Sequence, residues 1–159
     1  MNYAETEYKS KIEHSENAPF VLSVTDSTDN ELKIILALAK TDRTGISKGD
    51  NAKLNEILEN AVHVQADDDD LYEIVFERYI IYQCRNESYT AFDNTEIRDG
   101  KYLVTFEKSR LLDYYESVIF DFDSIEIKTK RKHYGIISAN HIIDVIANEP
   151  PIIRKINGR

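Results

Sequence analysis

Residues Leu71 to Arg85 read LYEIVFERYIIYQCR, and this run of Ile, Val, Phe and Tyr is the strongest strand signal in the chain. Its even-numbered face is the more apolar of the two, but Arg78 interrupts that face. The interruption predicts either a bulge near Arg78 or a bend between two shorter strands. Because the run leads directly into a predicted hairpin, without a crossover helix, the sequence favours antiparallel pairing.

The segments downstream of this run predict a hairpin, a helix and further strands. Asp99-Gly100 suits the positive φ angles of a two-residue hairpin turn. Ser109 is expected to cap a helix that extends to about Ile119. Further strands are expected over 123–130 and 132–138, and 141–147 fits either a strand or a short helix.

The segments upstream are read in the same way. Phe20–Val24 predicts a short strand, and 31–40 is ambiguous between helix and strand, with strand favoured. Asp50 or Asn51 is expected to cap a helix over 52–60, where apolar residues recur at helical spacing. Asp67, Asp68, Asp69 and Asp70 repel one another, so they predict an exposed turn.

Together these elements predict an α+β fold, mostly antiparallel sheet with two or three helices. The length of 159 residues suits one domain with its own core. We therefore expect a single domain over residues 1–159, with residues 1–17 and 150–159 as loosely docked tails.

The charge of the chain bears on its partners. All of the net charge of −9 lies in residues 1–80, which hold 17 acidic and 8 basic side chains. An acidic half repels phosphate backbones, so nucleic acid is disfavoured and a basic protein partner is favoured. The basic run Lys128–His133 is interpreted as a solvated strand end.

The number of cysteines and the hydropathy of the chain predict the cellular compartment. The single cysteine, Cys84, cannot form an internal disulfide and is interpreted as a small buried residue. The first ten residues hold no apolar signal core, and no run approaches the roughly 18 apolar residues of a membrane span. These observations predict a cytoplasmic protein with no membrane partner.

Motifs for catalysis or cofactor binding do not occur in the sequence. It has no Gly-rich phosphate loop, no nucleophile elbow and no dinucleotide fingerprint. The four histidines have no spacing typical of zinc sites. We therefore expect no cofactor and no metal, and we assign no catalytic residue.

The stretch Arg85–Tyr89 is the most polar segment that directly follows an apolar strand. Arg85 could bind a carboxylate or phosphate, and Glu87 could form a hydrogen bond with a ligand or a protein partner. The alternative is an ordinary strand end, where such residues satisfy backbone groups. Tyr79 and Tyr89 are the preferred interface candidates, because tyrosine is enriched in binding surfaces. The acidic run Asp67–Asp70 is the candidate contact for a basic partner.

One resemblance is carried by several motifs. Arg85–Tyr89, Asp99–Tyr102 and Phe106–Asp113, together with His133–Gly135 and His141–Val145, resemble a group of uncharacterised small acidic bacterial proteins. No activity follows from that resemblance. In general character such proteins also resemble immunity proteins, which neutralise bacterial toxins by occluding their active sites.

Three functional hypotheses follow. The first is an immunity protein that neutralises a basic toxin. The second is a small enzyme that acts on a polar or anionic substrate through Arg85, Glu87 and a histidine, His133 or His141; it requires Arg85 and His133 to converge on one pocket. The third is a subunit that assembles through a strand edge as a homodimer and buries the face of Tyr79.

Overall fold

The computed structural model describes residues 3–42, 49–118 and 131–158. Within these residues the chain forms three α-helices and nine strands, and strand predominates. The helices are α1 (Glu7–Glu13), α2 (Ala52–Asn60) and α3 (Arg110–Val118). The strands are β1 (Phe20–Asp26), β2 (Leu32–Asp42), β3 (His63–Phe76), β4 (Tyr79–Asn86), β5 (Ile97–Asp99), β6 (Leu103–Lys108), β7 (Lys132–Ile137), β8 (His141–Ala147) and β9 (Ile152–Ile156).

The strands form two antiparallel sheets. One sheet has four strands in the order β1-β2-β3-β9, and the other has five in the order β4-β8-β7-β6-β5. Every pairing within them is antiparallel. The predicted α+β class, mostly antiparallel sheet with two or three helices, is confirmed.

The stretch 71–85 supplies one strand to each sheet. β3 ends at Phe76 and β4 begins at Tyr79, with the exposed residues Glu77 and Arg78 between them. The backbone N–H of Tyr79 donates to the carbonyl oxygen of Asn30 at 3.2 Å, which holds the corner. The predicted bend between two shorter strands near Arg78 is therefore confirmed, and it is the point where the chain passes from one sheet to the other.

The two sheets share one hydrophobic core. A single cluster of buried residues includes Leu36 and Phe76 of the four-stranded sheet and Tyr134 and Val145 of the five-stranded sheet. In β7 and β8 the residues that join this cluster alternate along the strand, as period-two burial requires: Tyr134 and Ile136, and Ile143 and Val145. Burying side chains of this size provides the main favourable term in folding. The opposite face of the five-stranded sheet is therefore free to carry other chemistry.

Both ends of the described chain are packed, so the prediction of loosely docked tails is wrong. Tyr3 and Ile12 are buried, and the Tyr3 hydroxyl donates to the carbonyl oxygen of Gly135 at 3.0 Å. The Glu13 carboxylate accepts the backbone N–H groups of residues 101, 102 and 103. At the other end, β9 pairs with β3. The sequence of α1 gave little sign of this packing, because Ile12 is the one buried residue among its seven.

The run Asp67–Asp70 lies within β3, so the predicted turn is wrong. Ala37 pairs with Leu71 and Ala39 with Ala66, which leaves Leu38 alone opposite four aspartates. The run is thus an irregularity inside a strand rather than a chain reversal. The mutual repulsion of the four aspartates was the reason to expect a turn, and two lysines on the neighbouring strands reduce that repulsion. These ion pairs are Lys40–Asp67 at 3.1 Å and Lys155–Asp70 at 2.9 Å.

Other local predictions have mixed outcomes. Asn51 caps α2, and Ser109 caps α3 by accepting the backbone N–H of Leu112 at 3.1 Å, so both predicted caps are confirmed. The hairpin at Gly100 forms with a positive φ of 104°. Its turn is not the two-residue type, because Asp99 pairs with residue 105. The predicted strand over 123–130, and residues 128–130 of the basic run, lie outside the described residues.

Two further observations concern exposure. Cys84 is exposed, so its interpretation as a buried residue is wrong: it lies on β4, which ends the five-stranded sheet and pairs only with β8. Among the described residues, no helix has the length and apolar character needed to cross a bilayer.

Candidate functional site

A cleft of about 690 Å³ opens on the outer face of the five-stranded sheet. In β7, Tyr134 and Ile136 point into the core, so His133, Gly135 and Ile137 face the cleft. Among the described residues, the helix α3 covers part of this face and forms one wall of the cleft, and the segment 91–96 forms the other wall.

The helix is held to the sheet by a small apolar cluster of its own. Leu111 and Tyr115 of α3 pack with Ile146 of β8, apart from the main core. This contact fixes the position of the helix that bounds the cleft. Volumes of roughly 300–1,000 Å³ are typical of small-ligand sites, so the cleft has the size of a binding pocket.

Asp144 is the buried charge at one side of this cleft. Its side chain is 2% exposed, and its Oδ2 atom accepts Gln83 Nε2 at 2.9 Å, Arg85 Nε at 3.1 Å and Arg85 Nη2 at 2.8 Å. Its Oδ1 atom accepts His133 Nε2 at 3.0 Å. Burial raises the pKa of Asp144, but the hydrogen bonds from His133 and Gln83 and the charge of Arg85 lower it more. The net result is a pKa below its ordinary value and a stable carboxylate.

His133 extends the network toward α3. Its Nδ1 atom lies 2.7 Å from the Oγ atom of Ser109, and that Oγ also accepts the N–H of Leu112. Because the Asp144 carboxylate can only accept, the Nε2 atom of His133 donates to it. Both ring nitrogens of His133 therefore have a hydrogen-bond partner in this network.

The order Ser109–His133–Asp144 has the composition of a hydrolytic triad, but its geometry is not that of an open nucleophile. Ser109 and His133 are each 2% exposed. The Ser109 Oγ atom caps a helix, and a nucleophilic serine must instead reach a substrate carbon. The network therefore stabilises the charge of Asp144 and positions Arg85.

Phe106 covers the bottom of the cleft. Its ring stacks on His133, with centroids 4.0 Å apart and planes 8° from parallel. Gly135 makes this possible, because a Cβ atom there would lie 2.9 Å from the Phe106 ring. Leu111, Ile137 and Ile142 complete an apolar surface next to the polar cluster. Apolar lining with a few placed polar groups is typical of ligand pockets.

Three more charged residues line the opening. The Arg110 guanidinium pairs with Asp93, and the backbone N–H of Arg110 donates to Glu96 Oε1 at 3.1 Å. Hydrogen bonds from Thr95 and from Arg110 hold the pKa of Asp93 below its usual value. Both carboxylates of the 91–96 wall thus have Arg110 of α3, the opposite wall, as a partner.

Of the residues predicted as a site, Arg85 lies in the cleft and the others do not line it. Glu87 and Tyr89 form a short 3-10 helix after β4; Glu87 is half-buried, and Tyr89 is 89% exposed. The condition that Arg85 and His133 converge is met, since both contact Asp144. His141 and Glu87 do not join them.

Tyr79 and the aspartate run lie elsewhere. The Tyr79 hydroxyl donates to Asp26 Oδ2 at 2.8 Å, which raises the pKa of Tyr79 to about 12. Its ring makes an edge contact with Tyr82. Asp68 and Asp69 are exposed on the four-stranded sheet, and no ion pair involves them within the described part of the chain. The predicted candidates therefore do not form one continuous surface.

Sequence reasoning missed Asp144 altogether and did not connect Ser109 or Gln83 with a site. The available signal was an aspartate flanked by Ile and Val on both sides, in Ile142-Ile143-Asp144-Val145-Ile146. A charge inside a buried strand is costly unless it is paired. Such a residue therefore indicates a partner elsewhere in the fold.

The described residues contain no cluster of three or more His, Cys, Asp or Glu arranged to hold a metal ion. Comparison of the chain with protein-family models, with curated proteins and with solved structures gave no match.

Proposed function

We propose that this protein binds a basic protein and acts as an immunity protein, which neutralises a bacterial toxin by covering its active site. The observation that carries the proposal is a group of exposed aromatic side chains on the two walls of the cleft and the segment leading to it. Tyr89 is 89% exposed, Tyr114 is 54% exposed and Phe92 is 47% exposed.

Aromatic side chains of this kind supply most of the free energy in many protein interfaces. They combine a large rigid area with few rotatable bonds, so little conformational entropy is lost on binding. Tyr114 lies on α3, and Phe92 follows the short helix of Tyr89. A partner that covered the cleft could contact all three.

Charge supports the choice of a basic partner. The net charge of −9 attracts cations from a distance, and exposed Asp68 and Asp69, which form no ion pair with the described residues, contribute to that field. Such charges act mainly on the association rate and specificity. The toxin-neutralising role rests on the general resemblance to immunity proteins, together with this acidic surface.

The test is a binding experiment with the full chain, tagged and incubated with native cell extract at low and at high salt. We expect one basic protein that is retained at low salt, is lost at high salt and loses its own activity when bound. Replacing Tyr89 and Tyr114 together by Ala should weaken that binding at least tenfold. Retention that does not depend on salt would remove the electrostatic part of the proposal.

A matched control is available on α2, where Leu54 and Ile57 are 48% and 62% exposed. Replacing this pair by Ala removes two exposed apolar side chains from a different element and should leave binding unchanged. Equal losses in the two double variants would contradict the placement of the interface at the cleft. Absence of any partner at low salt would contradict the proposal itself.

A second candidate is a small enzyme that acts on a polar or anionic substrate. One observation favours it, namely that Arg85 and His133 meet at Asp144 beside a cleft of substrate size. Both ring nitrogens of His133 are hydrogen-bonded, so proton transfer to a ligand would require one bond to break. Turnover in a metabolite screen that is lost in His133→Gln, while the variant still folds, would favour the enzyme.

A further inference from the structure

The guanidinium group of Arg85 has one edge in use and one edge open. Nε and Nη2 both donate to the same Asp144 oxygen, at 3.1 and 2.8 Å. Nη1 has no acceptor within the part of the chain that the structure describes. The side chain is 38% exposed and lines the cleft. The edge formed by Nη1 and Nη2 can therefore reach a ligand while Asp144 holds the other edge.

That open edge has a definite chemical preference. Two parallel N–H groups on a planar guanidinium match the two oxygens of a carboxylate. Asp144 does not compete for the free donors, because its two oxygens already accept four hydrogen bonds. Its burial also fixes Arg85 in place, so the ligand need not order a flexible side chain.

The rest of the cleft is suited to an apolar group. Phe106, Leu111, Ile137 and Ile142 are apolar residues that line the cleft, and the Phe106 ring lies flat on His133. The two acids of the opening, Asp93 and Glu96, are each bonded to Arg110 and so repel an anion less than free acids would.

We propose that the cleft is a binding site for a small carboxylate that carries an aromatic or branched apolar group, with Arg85 as the residue that binds the carboxylate. The apolar group lies on Phe106 and Ile137. This site does not depend on the protein-binding role, and each can fail without the other.

The test uses the purified full chain and three probes of nearly equal size: 3-phenylpropionate, its uncharged amide, and 3-phenylpropylamine. Binding is followed by two-dimensional NMR titration, with the signals of β4, β7 and α3 as reporters. We expect the carboxylate to bind at least tenfold more tightly than the amide, and the amine to bind most weakly. Equal affinities for the three probes, or no binding of the carboxylate, would overturn the proposal.

Two variants separate the site from simple loss of folding. Arg85→Lys keeps a cation beside Asp144 but lacks the second parallel donor, so carboxylate affinity should fall at least fivefold. Ile137→Asp places a negative charge on the half-buried edge of the apolar surface and should abolish carboxylate binding. The matched control is Arg154→Lys on β9 of the other sheet, where affinity should not change.

Thermal unfolding of each variant shows whether the fold is retained. A folded Arg85→Lys protein that binds the carboxylate as tightly as the natural chain would overturn the assignment of Arg85. If the carboxylate binds as expected but no basic protein is captured, the ligand site stands and the immunity role fails.

Discussion

Asp144 and the run Asp67–Asp70 are both acids within β-strands, but their surroundings differ completely. Asp144 is fully buried and receives four hydrogen bonds from Gln83, Arg85 and His133. The run is at least partly exposed: Asp67 and Asp70 form ion pairs, and Asp68 and Asp69 form none with the residues that the structure describes. A single buried charge can organise a site, whereas four surface charges mainly set a long-range field.

The largest expected effect comes from Asp144→Asn. The change removes the negative charge that Arg85 and His133 face, and breaking a buried pair of this kind costs on the order of 3 kcal/mol. The comparison variant, Asp68→Asn, should alter the free energy of unfolding by less than about 0.5 kcal/mol. Urea denaturation measures the free energy of unfolding of both variants. Similar losses in the two variants would contradict the stabilising role assigned to the buried Asp144.

Lowering the pH should remove part of the stabilisation that the Asp144 carboxylate provides in the natural chain. The pKa of Asp144 is lowered in the folded state, so its contribution is complete above the unfolded pKa of about 3.9 and is lost as pH falls through the folded value. The stability difference between the natural chain and Asp144→Asn should therefore narrow below about pH 4. Denaturation at pH 7, 5, 4 and 3 checks this, and a constant difference would contradict it.

A smaller effect is expected for Ser109→Ala. The variant loses the cap of α3 and the hydrogen bond to His133, and together these should cost about 1–2 kcal/mol. Ser117→Ala is the control, because Ser117 is exposed at the far end of the same helix and only bonds the carbonyl oxygen of Tyr114. Thermal unfolding should rank the two, and equal melting temperatures would indicate that the Ser109 bonds add no stability.

The smallest effect on stability is expected when Asp68 and Asp69 are both replaced by Asn. Folding should change by less than about 0.5 kcal/mol, since neither residue has an ion-pair partner among the described residues. Association with a basic partner should become slower at low salt and less sensitive to salt. Stopped-flow kinetics measures this, and unchanged rates would mean that the aspartate run does not steer the partner.

The fold was more predictable from sequence than the site. Local signals located α2 by its Asn51 cap, and they located the corner at Arg78, where a charge interrupts an apolar face. These features depend on neighbours in sequence. The aspartate run was misread because its compensating cations, Lys40 and Lys155, come from distant strands.

The site depends on residues that are far apart in the chain. The five residues lie on or next to four different elements, and the pairing of β4 and β7 with β8, and of β6 with β7, brings them together. They are Gln83, Arg85, Ser109, His133 and Asp144. No periodicity or short motif records such a pairing. Arg85 was identified because it directly follows an apolar run. Asp144 lies in another apolar strand, β8, and could have been recognised only by asking which partner neutralises a charge buried there.

Tyr3 and Glu13 are made early in synthesis, yet their partners are made late. Tyr3 bonds Gly135, and Glu13 bonds the loop before β6. The four-stranded sheet likewise needs β9, near the end of the chain. The hydrogen bonds of Tyr3 and Glu13 join residues 132 and 88 positions apart in the chain. Contacts of such large sequence separation form slowly, because a long stretch of chain must close before they are made, so we expect this domain to fold slowly for its size.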